Sequence, residues 1–298
     1  ASITPDDVRK YRLGSVLAGG NSDPGGKYDA TPAEWLAQAD AFYEASMDTS
    51  QGGKAIPILY GIDAVHGQSN IVGATLFPHN IGLGAMRNPE LMRKIGDVTA
   101  IETRATGMEW AFGPTVAVPQ DDRWGRAYEG YSESPDVVAS YAGAMVEGLQ
   151  GKVGSKEFLD GRHVIASAKH FLGDGGTTGG KDQGDTAVDD ATLVRIHAAG
   201  YPAAIAAGAQ TVMASFNSVN GERMHGNKRY LTDALKGRMQ FGGFVVGDWN
   251  GHGQIPGCKN DDCPATINAG LDMAMAPDSW KGFYETTLAA AKAGTISK

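Results

Sequence analysis

The stretch Gly242-Gly243-Phe244-Val245-Val246-Gly247-Asp248-Trp249-Asn250-Gly251 carries more fold information than any other in the chain. A short apolar run between glycines reads as a buried strand, here followed at once by a carboxylate, an indole and a glycine turn. An unpaired carboxylate in a desolvated place costs free energy, so Asp248 must be hydrogen-bonded, paired or chemically used. Two readings remain open on this segment alone. Asp248 caps the turn that follows, or it faces a ligand from the end of the strand.

Working outward, strand-like apolar runs recur at residues 13–17, 56–62, 110–118, 164–168, 211–216, 244–246 and 271–276. Segments of helical character separate them at 32–47, 89–105, 135–149, 190–207, 231–239 and 280–293. Three of these open on Thr31-Pro32, Asn88-Pro89 and Ser134-Pro135, a cap followed by proline at the first helical position. Alternation of this kind predicts a parallel sheet, either a (β/α)8 barrel or a doubly wound sheet. Asp63, Lys169, His170, Asn217 and Asp248 fall at or just past the C-terminal ends of different strands, which is barrel behaviour. A doubly wound sheet gathers its site at one switch point, usually with a glycine-rich phosphate loop. The run Gly173-Asp174-Gly175-Gly176 lacks the G-x-G-x-x-G spacing of such a loop. The expectation is therefore an α/β, TIM-like (β/α)8 barrel over residues 1–298, with seven strands visible and the barrel incomplete at both ends.

Composition narrows the partners. A net charge of −8 and 20% charged residues argue against a nucleic-acid or anionic-membrane surface, because phosphate binding needs a clustered basic patch. No run approaches the roughly 18 consecutive apolar residues of a membrane span, and Thr4-Pro5-Asp6-Asp7 reads as a helix start rather than part of a signal peptide. The 42 glycines fit many tight βα connections. Cys258 and Cys263 stand close together in a Gly/Pro/Asn-rich loop after the Asp248 strand. They either close a short disulfide loop, which favours an oxidising compartment, or remain two thiols. Zinc fits poorly, with only His252 nearby, and the seven histidines show no H-x-H or H-E-x-x-H spacing, so neither metal nor cofactor is expected.

The chemistry-bearing residues point to sugars. Trp249 beside an acid suits a flat apolar sugar face. Asp63, at a strand end in Tyr60-Gly61-Ile62-Asp63-Ala64-Val65-His66-Gly67, either accepts sugar hydroxyls or pairs with a neighbouring cation. Lys169 and His170 offer a cation and a neutral donor side by side, and a lysine near a carboxylate favours its ionised form. Arg126, in the charged and aromatic run Asp121-Asp122-Arg123-Trp124-Gly125-Arg126-Ala127-Tyr128-Glu129, can bond a diol in bidentate fashion. The alternative is an ion-pair network joining Asp121, Asp122, Arg123 and Glu129.

Taken in series, six segments resemble the catalytic barrel of glycoside hydrolase family 3, most closely its exo-acting β-glucanases and β-glucosidases. They are Gly61-Ile62-Asp63-Ala64-Val65-His66-Gly67, Arg123 to Glu129 as quoted, and Ala168-Lys169-His170-Phe171-Leu172-Gly173-Asp174-Gly175-Gly176-Thr177. The others are Val212-Met213-Ala214-Ser215-Phe216-Asn217 with Asn220-Gly221 and Met224-His225, then Gly243 to Trp249, and Asn268-Ala269-Gly270-Leu271-Asp272-Met273. The resemblance implies that Asp248 is a glycosidic nucleophile, that Asp63, Arg126, Lys169, His170 and Met213 hold the glucosyl unit, and that Trp249 lines it. It further implies retaining release of glucose from the non-reducing ends of β-glucans, in a periplasmic or secreted enzyme of polysaccharide degradation. The acid/base would be a glutamate on an α/β sandwich domain downstream of the barrel, beyond Lys298. Gly247 and Phe216 stand where the family often has serine and tyrosine, which removes a hydroxyl near Asp248. No histidine follows in the loop after Lys169-His170, which separates this chain from the β-N-acetylglucosaminidase branch. Alternatives are a carbohydrate-binding barrel without catalysis, or a family member acting on another β-glycoside such as a β-xyloside.

Overall fold

Apolar runs form the main strands β1 (Ser15–Ala18), β2 (Leu59–Ile62), β3 (Trp110–Ala111), β4 (Ile165–Phe171), β6 (Thr211–Ala214) and β9 (Phe244–Val246), while short, largely polar pairs form β5 (Asp185–Thr186), β7 (Ser218–Val219) and β8 (Glu222–Arg223). The computed structural model describes residues 3–19 and 22–296. The main sheet has the order β1-β2-β3-β4-β6-β9, with each pairing parallel. Each strand pairs with the next main-sheet strand along the chain and the order never reverses. A doubly wound sheet would reverse at its switch point, so the α/β class is that of a (β/α) barrel, with six of eight strands among the described residues.

The chain divides into two compact units, one of Ala1–Pro78, Glu90–Gly113 and Ala144–Ala166, the other of His79–Pro89, Pro114–Gly143 and Ser167–Lys298. In the second unit Ser167 of β4 pairs with Thr211 of β6, and Thr211, Val212 and Met213 pair with Phe244, Val245 and Val246 of β9. All four β6 residues are buried, as the continuous apolar run requires of a parallel strand covered on both faces. Buried Tyr141 ties the helix Pro135–Gln150 to the segment before it, its hydroxyl accepting from the Asn88 amide at 2.8 Å and donating to the Leu83 carbonyl at 2.9 Å.

Several expected elements differ, each for a local reason. The seventh strand, at 271–276, is reduced to an isolated bridge between Val246 and Met273. Its ladder is broken because the Val245 amide donates to the Asp272 carboxylate, at 2.8 Å, instead of to a main-chain carbonyl. The strand expected at 110–118 stops at Ala111, with Gly113 and Pro114 close behind, and Pro114 has no N–H to donate. The helix expected at 190–207 breaks into a turn, a π-helical segment Leu193–His197 and the helix Gly200–Ala206. Pro202 lies in that last segment and cannot supply an i→i−4 bond. A π-helical run also replaces the helix expected at 231–239. The hairpin β7–β8 turns at Asn220-Gly221, both with positive φ of 50° and 88°, the two-residue type I′ pattern.

In the first unit β1 pairs with β2 from Ser15↔Leu59 to Ala18↔Ile62, β2 with β3 at Gly61↔Trp110, and β3 with β4 at Trp110↔Ile165. Capping boxes start its early helices: Thr4 with Asp7 ahead of Pro5–Tyr11, and Thr31 with Glu34 ahead of Pro32–Met47. Further along, the helices Pro89–Ala105 and Pro135–Gln150 approach through Gly96 and Gly148. A Cβ on Gly148 would lie 2.2 Å from the Arg93 carbonyl oxygen and 2.9 Å from the Gly96 Cα. Backbone stands on the other side of that gap and cannot swing away. Gly148→Ala should therefore lower the unfolding free energy by about 1–3 kcal/mol, in spite of alanine's better helix propensity. Urea denaturation checks it, and a stabilised variant would mean the helices separate without strain.

Candidate active site

The site of the second unit begins where β9 ends. The Asp248 amide donates to His225 Nε2 at 2.9 Å, so the ring proton of His225 sits on Nδ1. Burial pushes His225 down to about 3, which keeps the ring neutral and able to accept. Glycine is required around this ring, since a Cβ on Gly251 would lie 2.2 Å from His225 Cε1. The turn following β9 thus closes on an imidazole. Asp248 Oδ1 accepts from the Trp249 amide, the next along the chain, at 2.7 Å. Asp248 Oδ2 is buried and has no hydrogen-bond partner among the described residues, and it lies 3.6 Å from His170 Nε2.

His170, near the end of β4, is buried between two charged groups. Its Nδ1 is 2.8 Å from Asp174 Oδ2, and its Nε2 is 3.1 Å from Arg126 Nη2. Burial pushes His170 down to about 3, reinforced by the positive charges of Arg126 and Lys169. Arg126 is itself held bidentately by Glu129, Nε to Oε1 at 2.8 Å and Nη2 to Oε2 at 3.0 Å. Burial opposes the charge of Arg126, but Glu129, Asp174 and Asp248 outweigh it and the guanidinium is held more firmly charged than usual. Burial also raises the Asp174 carboxyl, to about 7, against the pull of Arg126.

Of the residues singled out in the sequence, Arg126, His170 and Asp248 come together here. Lys169 is buried on β4 beside His170, and Met213 is buried on β6, where it pairs with Val246. Trp249 is 44% exposed, next to a carboxylate side chain that is 13% exposed. Asp63 belongs to the first unit, where it is exposed one residue past β2. Cys258 and Cys263 are joined in a disulfide. The ion-pair network given as the alternative for Asp121, Asp122, Arg123 and Glu129 takes another form: Asp121 pairs with Arg123, while Glu129 pairs with Arg126. Among the described residues no group of three or more His, Cys, Asp or Glu side chains could hold a metal ion.

Sequence reasoning passed over three contributors, Asp174, Glu129 and His225. Asp174 carried a readable signal, since a carboxylate bracketed by Gly173 and Gly175 after a strand folds back onto that strand's end. The fit is tight, because a Cβ on Gly175 would lie 2.6 Å from the Val118 carbonyl oxygen. Chemically, a carboxylate with one oxygen fixed by an amide and the other bare in a cation-lined, part-buried place can attack an electron-poor carbon or stabilise positive charge on it.

Comparison with known proteins agrees with this architecture. The model of the glycosyl hydrolase family 3 N-terminal domain matches residues 2–298, and the chain belongs to that family. It is 32% identical over 284 residues to a lysosomal beta glucosidase of Dictyostelium discoideum, covering 91% of this chain and 34% of that protein. A periplasmic beta-glucosidase of Salmonella typhimurium is 31% identical over 236 residues, covering 76% of this chain and 29% of that protein. The crystal structure of an exo-1,3/1,4-beta-glucanase from a Pseudoalteromonas species superposes with a TM-score of 0.97 at 55% identity, over 99% of this chain and 37% of that one. The chain therefore spans about a third of the length of these relatives.

The neutral His225 gives the site a pH signature in stability. Unfolded, this histidine titrates near its ordinary 6.5; folded, it resists protonation down to about 3. Between these values the unfolded chain binds the extra proton, so stability falls as pH falls. The stability of the wild type relative to His225→Gln should drop by about 1.4 kcal/mol for each pH unit through that window. Urea titrations at pH 7.5, 5.5 and 4.5 measure it, and parallel profiles for the two proteins would refute it.

Proposed function

We propose that the chain is the barrel portion of a retaining, exo-acting β-glucosidase or exo-1,3/1,4-β-glucanase that releases glucose from the non-reducing ends of β-glucans. The observation that carries this reading is the state of Asp248, with Oδ1 held by the Trp249 amide and Oδ2 buried without a partner among the described residues. Oδ2 attacks the anomeric carbon as the bond to the leaving oxygen breaks, giving a covalent glucosyl ester. Water then attacks that carbon, the ester bond breaks, and Asp248 is restored as the carboxylate. The acid that protonates the leaving oxygen, and later takes the proton from water, is assigned to a glutamate of a downstream α/β sandwich domain. Retaining chemistry needs it about 5–5.5 Å from the nucleophile.

In this reading Asp63, Arg126, Lys169, His170 and Met213 bind the glucosyl unit and Trp249 lines it. The likeness to the exo-1,3/1,4-beta-glucanase supports the substrate class. The Cys258–Cys263 disulfide supports a periplasmic or secreted location, where a polymer substrate is met and thiols oxidise.

The test is to incubate the protein with a 2-deoxy-2-fluoro-β-glucosyl compound bearing a good leaving group, which slows turnover of the ester, and to map the adduct by mass spectrometry. A stoichiometric adduct on Asp248 is expected, and an adduct on another residue overturns the assignment. Asp248→Asn should lose about 10⁴-fold in rate on an aryl β-glucoside, near the usual size of nucleophile losses, with its unfolding midpoint little changed. An aryl glucoside with a very acidic phenol needs no proton for the first step, so the chain releases that phenol whether or not an acid/base is in place. A purely sugar-binding barrel releases none.

A further inference from the structure

We infer that Asp174 is a positioning residue that locks His170 in its Nδ1–H tautomer, so that Nε2 presents a lone pair to the site and gives no proton or hydrogen bond to Asp248. The inference rests on the proposed role of Asp248 for its catalytic consequence, but not for the tautomer itself.

Both Asp174 oxygens are engaged, Oδ2 2.8 Å from His170 Nδ1 and Oδ1 accepting from the Gly175 amide at 3.0 Å. On the far side of the imidazole, 3.1 Å from Nε2, stands the guanidinium of Arg126, a group that only donates. Its orientation is fixed by the bidentate grip of Glu129. A proton on Nδ1 satisfies both neighbours at once. A proton on Nε2 would set two donors against each other at Arg126 and leave a bare nitrogen facing the carboxylate of Asp174. Above pH 7, where the Asp174 carboxyl that burial raises to about 7 is ionised, the anion on one side and the cation on the other impose the same tautomer.

The consequence reaches Asp248. Its Oδ2 lies 3.6 Å from His170 Nε2, so a proton on Nε2 would place a donor beside the bare oxygen. With the lone pair there instead, the oxygen keeps its electron pair for the anomeric carbon, and a substrate hydroxyl meets His170 as an acceptor. Asp174 touches neither, and acts only through the ring.

An isosteric change exposes this. In Asp174→Asn the amide oxygen is claimed by the Gly175 N–H, so the NH₂ faces His170 Nδ1 across the shorter of the ring's two contacts, 2.8 Å against 3.1 Å to Arg126, and drives the ring proton to Nε2. Histidine ¹⁵N NMR of the full chain at about pH 8.5, where Asp174 is ionised, with the His170 resonances assigned from His170→Gln, reads the tautomer directly. Wild type should show protonated Nδ1 and bare Nε2, and Asp174→Asn the reverse. The formation rate of the glucosyl ester from an activated aryl β-glucoside should fall about 10–100-fold in the variant, the scale of one charge-assisted hydrogen bond misplaced, mainly in kcat rather than KM. An Nε2–H tautomer in the wild type overturns the inference even if the variant does not fold. So does an unchanged tautomer in the variant, or an undiminished ester-forming rate once the tautomer has flipped. If wild type shows the expected tautomer yet forms no ester at all, the proposed reaction fails while the lock stands.

Discussion

The hydrogen bond from the Asp248 amide to the neutral ring of His225 is the constraint on which the site depends. It requires an imidazole that accepts at Nε2, and therefore a histidine that does not take up a second proton. Burial supplies that condition, and the chain supplies burial by wrapping the turn after β9 around the ring. Gly247 and Gly251 are the residues that make room, the first with a Cβ position 3.3 Å from the ring and from Leu271, the second with no room for a Cβ at all. With its amide anchored, Asp248 cannot rotate freely, and its Oδ1 is taken by the next amide. One carboxylate oxygen remains, and the same few hydrogen bonds decide which one.

A second imidazole, His170, works on the same principle with the opposite surroundings. Where His225 is lowered mainly by burial, its Nε2 accepting from main chain, His170 separates the cation Arg126 from Asp174. Desolvation would make each of these charges costly alone. Glu129, Arg126, His170 and Asp174 therefore form a continuous chain of hydrogen-bonding contacts, with the Arg126 charge paired to Glu129. The mechanistic gain is rigidity, because a neutral sugar offers no charge with which to organise a loose site.

Most of this was legible where the chemistry is written into adjacent residues. The strand Phe244–Val246 was bounded to the residue, as were the helices Pro32–Met47 and Pro89–Ala105, whose proline starts are local signals. The parallel class follows from alternation, strand-end polar residues point to His170 and Asp248, and the charged and aromatic run 121–129 points to Arg126. What sequence did not reveal depends on partners distant in the chain. Asp272 takes the amide of Val245, so an apolar run at 271–276 that looks like a strand is left as a bridge. Glu129 reads as one more charge in a charged loop until Arg126 is seen to need it. His225 reads as a core histidine, and it is one, but its lone pair faces an amide 23 residues further along.

The disulfide belongs to the same local logic. Cys258 and Cys263 close a loop in which Lys259 and Asp262 exchange main-chain hydrogen bonds, and the Asn260 carbonyl accepts from His252 Nε2 at 2.7 Å and from Ser279 Oγ at 2.7 Å. His252 lies in the short helical turn Gly251–Gln254, directly after the Asp248–Trp249 pair. Gly253 packs against Asn260 so closely that a Cβ would sit 1.9 Å from its side-chain oxygen. The disulfide loop is thus a brace behind the turn that carries the free carboxylate. So short a loop removes only a modest part of the unfolded chain's entropy. Its larger effect is to hold Asn260 in place, and through His252 to limit how far the turn after Asp248 can open.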